Sequence, residues 1–266
     1  MQIAAIILLF IFISWLIWQW KKEKGNTILF PEPFRLILEE KVSFYKSLDN
    51  PAKLIFEKRM LQFLNHVKIT GIHTIVEDED KVFVAASAII PIFAFENWEY
   101  INLNEVLLYP GTFNEDFELR EGRERKILGM VGEGPMQHIM ILSQPSLRQG
   151  FINKSDKNNA AIHEFVHLLD KTDGDIDGIP ENLLSKQFTI PWINMMHQMI
   201  KEILDGNGDI NPYGATNQGE FFAVVAEYFF ERPDLLQSRH PALYELLEKI
   251  FRQDPNKAGE NLNKIR

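Results

Sequence analysis

The sequence predicts an α+β fold, helix-rich with a small sheet, preceded by one N-terminal transmembrane helix. Three observations carry this. The strand candidates, INLNEVLLY (101–109) and HIMILS (138–143), come early, and helical patterns dominate from there to the C-terminus. Strands followed by a run of helices indicate segregated elements, not alternating βαβ units. The stretch from Ile3 to Trp20 is uncharged and almost wholly apolar.

That first stretch, as a helix, would be roughly 27 Å long, close to the ~30 Å hydrocarbon thickness of a bilayer. Trp15, Trp18 and Trp20 gather at its end like an interfacial belt, and Lys21, Lys22 and Lys24 follow. A cleaved signal peptide would carry its basic residues before the apolar run, not after it. The expectation is a single-span anchor over residues 1–22 in the inner (cytoplasmic) membrane, with the rest of the chain in the cytoplasm. Residues 23–33 read as a linker kept extended by Pro31 and Pro33. A domain over 34–254 and a tail over 255–266 complete the organisation.

Within the domain, apolar residues at 34, 37, 38, 42 and 45 have a helical period. Pro51 suits the first turn of a second helix. KVFVAASAIIPIFAF (81–95) reads as a buried helix interrupted near Pro91, with a strand the alternative that its β-branched content leaves open. INLNEVLLY reads as a strand stopped by Pro110-Gly111, and HIMILS as a second strand stopped before Pro145. The chain's 266 residues are enough for one sizeable core. Its formal net charge of −9 argues against a general nucleic-acid surface, so no nucleic-acid partner is expected. With no cysteine there can be no disulfide, thiolate site or thiol nucleophile, and a metal would have to be held by His, Asp or Glu.

AAIHEFVHLLDKTDG (160–174) supplies such residues. Ser155, Asp156 or Asn158 is positioned to cap a helix here, and Gly174 to end it. On that helix His163 and His167 are separated by about 40° of rotation and about 6 Å of rise, so both imidazoles can reach one ion. Glu164 lies about 100° round from His163, where it can take a proton from a water without binding the ion. The apolar flanks imply burial, and burying two histidines and a glutamate without partners would be costly. A zinc ion in a water-accessible cleft removes that cost. A third ligand is expected from YGATNQGEFFAVVAEYFFERP (213–233). There Asn217 can cap a helix that places Glu220 and Glu227 on one face, and spacing does not choose between them.

Taken together, HEFVHLLD and YGATNQGEFFAVVAEYFF resemble the Mlc titration factor A family of zinc peptidases. The same two segments also look like the catalytic domain of anthrax lethal factor. FPEPFRLIL, FEKRMLQFL, VFVAASA, LLYPGTF and ILSQPSL extend the family resemblance over about residues 30–254. It implies a zincin-like (gluzincin) fold holding one zinc ion on His163, His167 and Glu220. Glu164 would be the general base, and Tyr213 would steady the oxyanion. Asp170 and Glu227 would orient a ligand imidazole, and HIMILS would be an edge strand pairing an extended substrate. The implied activity is an aminopeptidase-like hydrolysis of peptides or proteins; the membrane anchor expected from the apolar run at 3–20 departs from the family pattern. The alternative it implies is a binding module that sequesters a transcriptional regulator in sugar-uptake control. The acidic loops KTDGDIDGIPENL and DGNGDIN each lack a ligand or glycine that a calcium loop requires, and are read as plain loops.

Overall fold

A computed structural model describes residues 12, 14, 15, 29–111, 129–132, 137–153 and 157–257. The chain divides into two compact units, Met1–Pro31 and Glu32–Arg266. In the second unit the helices are α1 (Glu32–Lys41), α2 (Ser43–Ser47), α3 (Asn50–His66), α4 (Asp78–Ile92), α5 (Gln144–Ile152), α6 (Ala160–Asp170), α7 (Thr189–Leu204), α8 (Gln218–Glu231), α9 (Pro233–Arg239) and α10 (Pro241–Phe251). The strands are β1 (Lys68–Gly71), β2 (Glu105–Tyr109), β3 (Gly129–Val131) and β4 (Ile139–Ser143).

The α+β architecture is present, but the predicted transmembrane helix needs correction. Among the described residues no helix is long and apolar enough to cross a membrane. A span requires about 20 consecutive apolar residues in helix. Of the anchor predicted over 1–22, only Phe12, Ser14 and Trp15 are described, all helical. The rest of the anchor lies outside the described residues, as do 23–28 of the predicted linker and 258–266 of the predicted tail.

Helix α1 begins at Glu32, inside the predicted linker. Pro33 sits in its first turn, where a missing N–H costs nothing. The helical period read from residue 34 onward breaks at Val42 into α1 and α2. Asp49 caps α3 by accepting from Ala52 N at 2.9 Å, with Pro51 in the first turn. Helix α4 is buried along nearly its whole length from Val82 to Ile92 and carries Pro91 one residue before its end.

The N-terminus of α4 is tied to α5 through a fully buried carboxylate. Asp80 accepts from Glu77 N (2.9 Å), Gln144 Nε2 (2.8 Å), Arg148 Nε (2.7 Å) and Arg148 NH2 (2.9 Å). Asp80→Ala would take this acceptor from Glu77 N and Arg148 Nε, while Arg148 NH2 keeps Glu77 and Gln144 Nε2 keeps Ile75 O. The expected loss is about 3 kcal/mol of unfolding free energy, measured by urea titration, because breaking a buried pair costs more than the pair contributes.

The sheet order is β1-β2-β4-β3, with β1, β2 and β4 parallel and β3 antiparallel to β4. Neither β1 nor β3 was expected from the sequence. HIMILS is not an edge strand: β4 lies between β2 and β3, and the outer position beside it belongs to β3. This arrangement follows from burial. In β4 the residues from Met140 to Ser143 are all buried, whereas β3 is half-exposed throughout. Strands β3 and β4 pack against α6, which also packs against α4 and α8. The histidine helix therefore sits between the sheet and the C-terminal helices.

Candidate metal centre

Helix α6 begins at Asn159, whose side chain accepts from Ile162 N at 3.1 Å. The cap thus falls one residue beyond the last candidate read from the sequence. The helix proper ends at Asp170; a 3-10 turn, Lys171–Asp173, then leads to Gly174 at φ 128°. His163, Glu164 and His167 are all buried.

Helix α8 delivers the third group. Asn217 caps it by accepting from Glu220 N at 2.8 Å. The Glu220 side chain does not return to the cap; it turns to α6. Its Oε2 lies 2.9 Å from His163 Nε2 and 3.5 Å from His167 Nε2, and the two Nε2 atoms are 3.0 Å apart. Three donors on one ion at about 2.0–2.1 Å in tetrahedral geometry would be separated by roughly 3.3 Å. These three residues therefore fit a metal ion, and they are the group of metal-capable side chains found among the described residues.

Glu227 does something different. Its Oε1 lies 2.7 Å from His163 Nδ1, and its Oε2 accepts from Asn159 N at 2.6 Å. It therefore occupies the N-terminus of α6, where a negative charge is favoured by the helix dipole, and holds one imidazole so that Nε2 faces Glu220. The spacing that left Glu220 and Glu227 interchangeable is resolved by their two turns of helix, which put them on opposite edges of the His163 ring.

Tyr213 lies on a 3-10 turn, Pro212–Ala215, with its N–H on Asn211 Oδ1. Its hydroxyl donates to Glu220 Oε1 at 3.2 Å, and the side chain is part-exposed at the mouth of the cluster. Glu164 packs against β3, where a Cβ on Gly129 would come within 2.5 Å of Glu164 Cγ. Only a glycine leaves that carboxylate its place. Gly129 was missed from the sequence because a three-residue strand carries no readable periodicity.

Asp170 is not brought to either imidazole by any hydrogen bond among the described residues. Its Oδ2 accepts from Gly178 N at 2.8 Å, fastening the loop after α6, and its Oδ1 is buried without a partner. The loop in turn reaches α8, since a Cβ on Gly178 would meet Gln218 O at 2.4 Å.

The electrostatics follow from this crowding. Burial opposes a charge on His163, but Glu227 and Glu220 outweigh it and hold its pKa well above the usual value. Burial alone would raise Glu220; the bonds from His163 and His167 instead hold it well below the carboxylate range. Glu164 is pushed up by burial, partly offset by the two imidazoles.

For Asp170, burial dominates and raises the pKa from 3.8 to about 7, with Asp177 and Asp173 adding to it and the Gly178 N–H opposing it. The folded chain then holds this proton more tightly than the unfolded chain. Stability contributed by the protonated form is complete below about pH 4 and is lost as pH rises toward about 7. Asp170→Asn should lack that slope. Its unfolding free energy, read by urea titration at each pH, is expected to gain on the wild type by no more than about 2–4 kcal/mol as pH rises from about 4 to 8.

The sequence pattern of the glucose-regulated metallo-peptidase M90 family matches residues 17–252. The chain belongs to this family. It is 29% identical to an uncharacterized protein of Synechocystis, slr2042, over 91% of this chain and 90% of that one. It is 26% identical to a Mlc titration factor A of Klebsiella pneumoniae over 90% of this chain and 92% of the relative. With that of Pectobacterium atrosepticum the identity is 30%, over 62% of this chain and 65% of the relative. The resemblance drawn from HEFVHLLD and YGATNQGEFF to the titration factors is therefore shown.

Proposed function

We propose that the chain is a zinc-dependent peptidase, and the observation that carries this reading is the convergence of His163, His167 and Glu220 beside a buried, unligated Glu164. When bound, zinc would supply a Lewis acid and lower the pKa of water toward about 7. The protein's part is positioning and proton handling. His163 is held in one tautomer by Glu227, so its Nε2 is free for the ion. Burial raises the proton affinity of Glu164, which suits a carboxylate that must accept a proton from water and return it to a leaving amine. The Tyr213 hydroxyl, 3.2 Å from Glu220, can swing to donate to an oxyanion developing at the mouth of the site.

Substrate is expected along β3, the outer strand beside β4, because Gly129 brings that strand directly against Glu164. An extended peptide pairing there would place a carbonyl near the base. A preference for free N-termini, the aminopeptidase-like reading, rests on the family resemblance alone. The test is to purify the full chain, measure its metal content, and follow cleavage of a broad peptide library before and after chelation and zinc return. The reading requires zinc near one equivalent and hydrolysis that disappears and returns with it. Zinc without hydrolysis of any peptide would overturn it in favour of a binding role.

A further inference from the structure

Away from the histidines, α3 and the segment following α4 enclose a cavity of about 310 Å³. Phe63 from α3, Val67 just after it, Ile92 from the end of α4, and Leu103 form buried apolar walls. Two polar groups, a guanidinium and an indole, sit among these walls. Arg59 is buried, and its NH1 donates to Ile92 O (2.8 Å) and Phe93 O (3.0 Å), with a longer bond from NH2 to Trp98 O (3.4 Å). These bonds satisfy carbonyls at and beyond the C-terminal end of α4 and bring the guanidinium no negative charge. No carboxylate among the described residues bonds this guanidinium. Trp98 Nε1 is buried and unpartnered.

A buried guanidinium normally has an anion, because five donors and a full charge are costly to leave unmatched. A buried indole N–H without an acceptor, on a residue lining the same cavity, is a second cost of the same sign. Main-chain carbonyls account for part of the arginine's donors and none of its charge. The volume is at the lower end of small-molecule pockets. We propose that this cavity binds a small organic carboxylate with an apolar body, the carboxylate meeting Arg59 and Trp98 Nε1 and the apolar part lying against Phe63, Val67 and Leu103. Glu96 and Glu99, exposed at the rim, would add an attraction for an ammonium group, so the carboxylate can come from an α-amino acid or from a simple acid.

Calorimetric titration of the full chain with 3-phenylpropionate, L-phenylalanine and 3-phenylpropionamide tests this. Both carboxylates should bind, and the amide should bind at least about tenfold more weakly. Tighter binding of phenylalanine assigns the site to amino acids, and tighter binding of phenylpropionate to simple acids. Trp98→Phe keeps the ring and removes the N–H, and should weaken carboxylate binding by roughly 5- to 10-fold. Arg59→Lys should weaken it further; if that variant does not fold, Trp98→Phe and the amide still decide. The proposal fails if no carboxylate binds at about 10 mM, if the amide matches the acids, or if Trp98→Phe binds them unchanged.

Discussion

Glu164→Gln is expected to lower peptide hydrolysis by about 10²–10⁴-fold while leaving zinc content unchanged. Glutamine fills the same space against Gly129, where a larger group would collide. Glu164 does not belong to the converging triad, so its charge is not needed to hold the ion. What the substitution removes is the ability to take and return a proton. Metal analysis alongside initial rates on one peptide separates the two effects, and a variant that cleaves at the wild-type rate would remove Glu164 from the mechanism.

The second large effect distinguishes the two glutamates of α8. Glu220→Ala should lose zinc outright, since its Oε2 is one of the three donors. Glu227→Ala should keep the donors but release the His163 ring, lowering metal affinity by about 10–100-fold. Competition with a zinc chelator of known affinity measures both. If Glu227→Ala loses the ion and Glu220→Ala retains it, the ligand assignment is reversed.

The histidine helix and the Glu220 helix were legible in the sequence because a 3.6-residue period, polar caps and a spacing of four are local properties. The choice between Glu220 and Glu227 was not, since it depends on how α8 crosses α6, which no local pattern encodes. The family resemblance offered Asp170 as a group orienting an imidazole; its Oδ2 instead accepts from Gly178 N in the loop after α6. Strands β1 and β3 were invisible because one exposed and three half-exposed residues in β1, and three half-exposed ones in β3, show neither alternation nor an apolar run. HIMILS was recognised as a strand, but its place inside the sheet follows from β3, which pairs with it from the far side. The apolar run at 3–20 was read from hydropathy; among the described residues no helix is long and apolar enough to cross a membrane.

His163 and Glu220 are 57 positions apart in the chain and 2.9 Å apart in space. A chain with no cysteine cannot staple itself covalently. An ion gripping α6 and α8 together would be such a staple, closing the intervening segment into a ring. The entropy of that closure grows only as about (3/2)RT ln n, so a single ion can offset it for so long a segment. Stripping the ion should then be felt first in the loops between the two helices, as faster amide exchange or protease cutting across residues 171–217, before the cores of α6 and α8 give way.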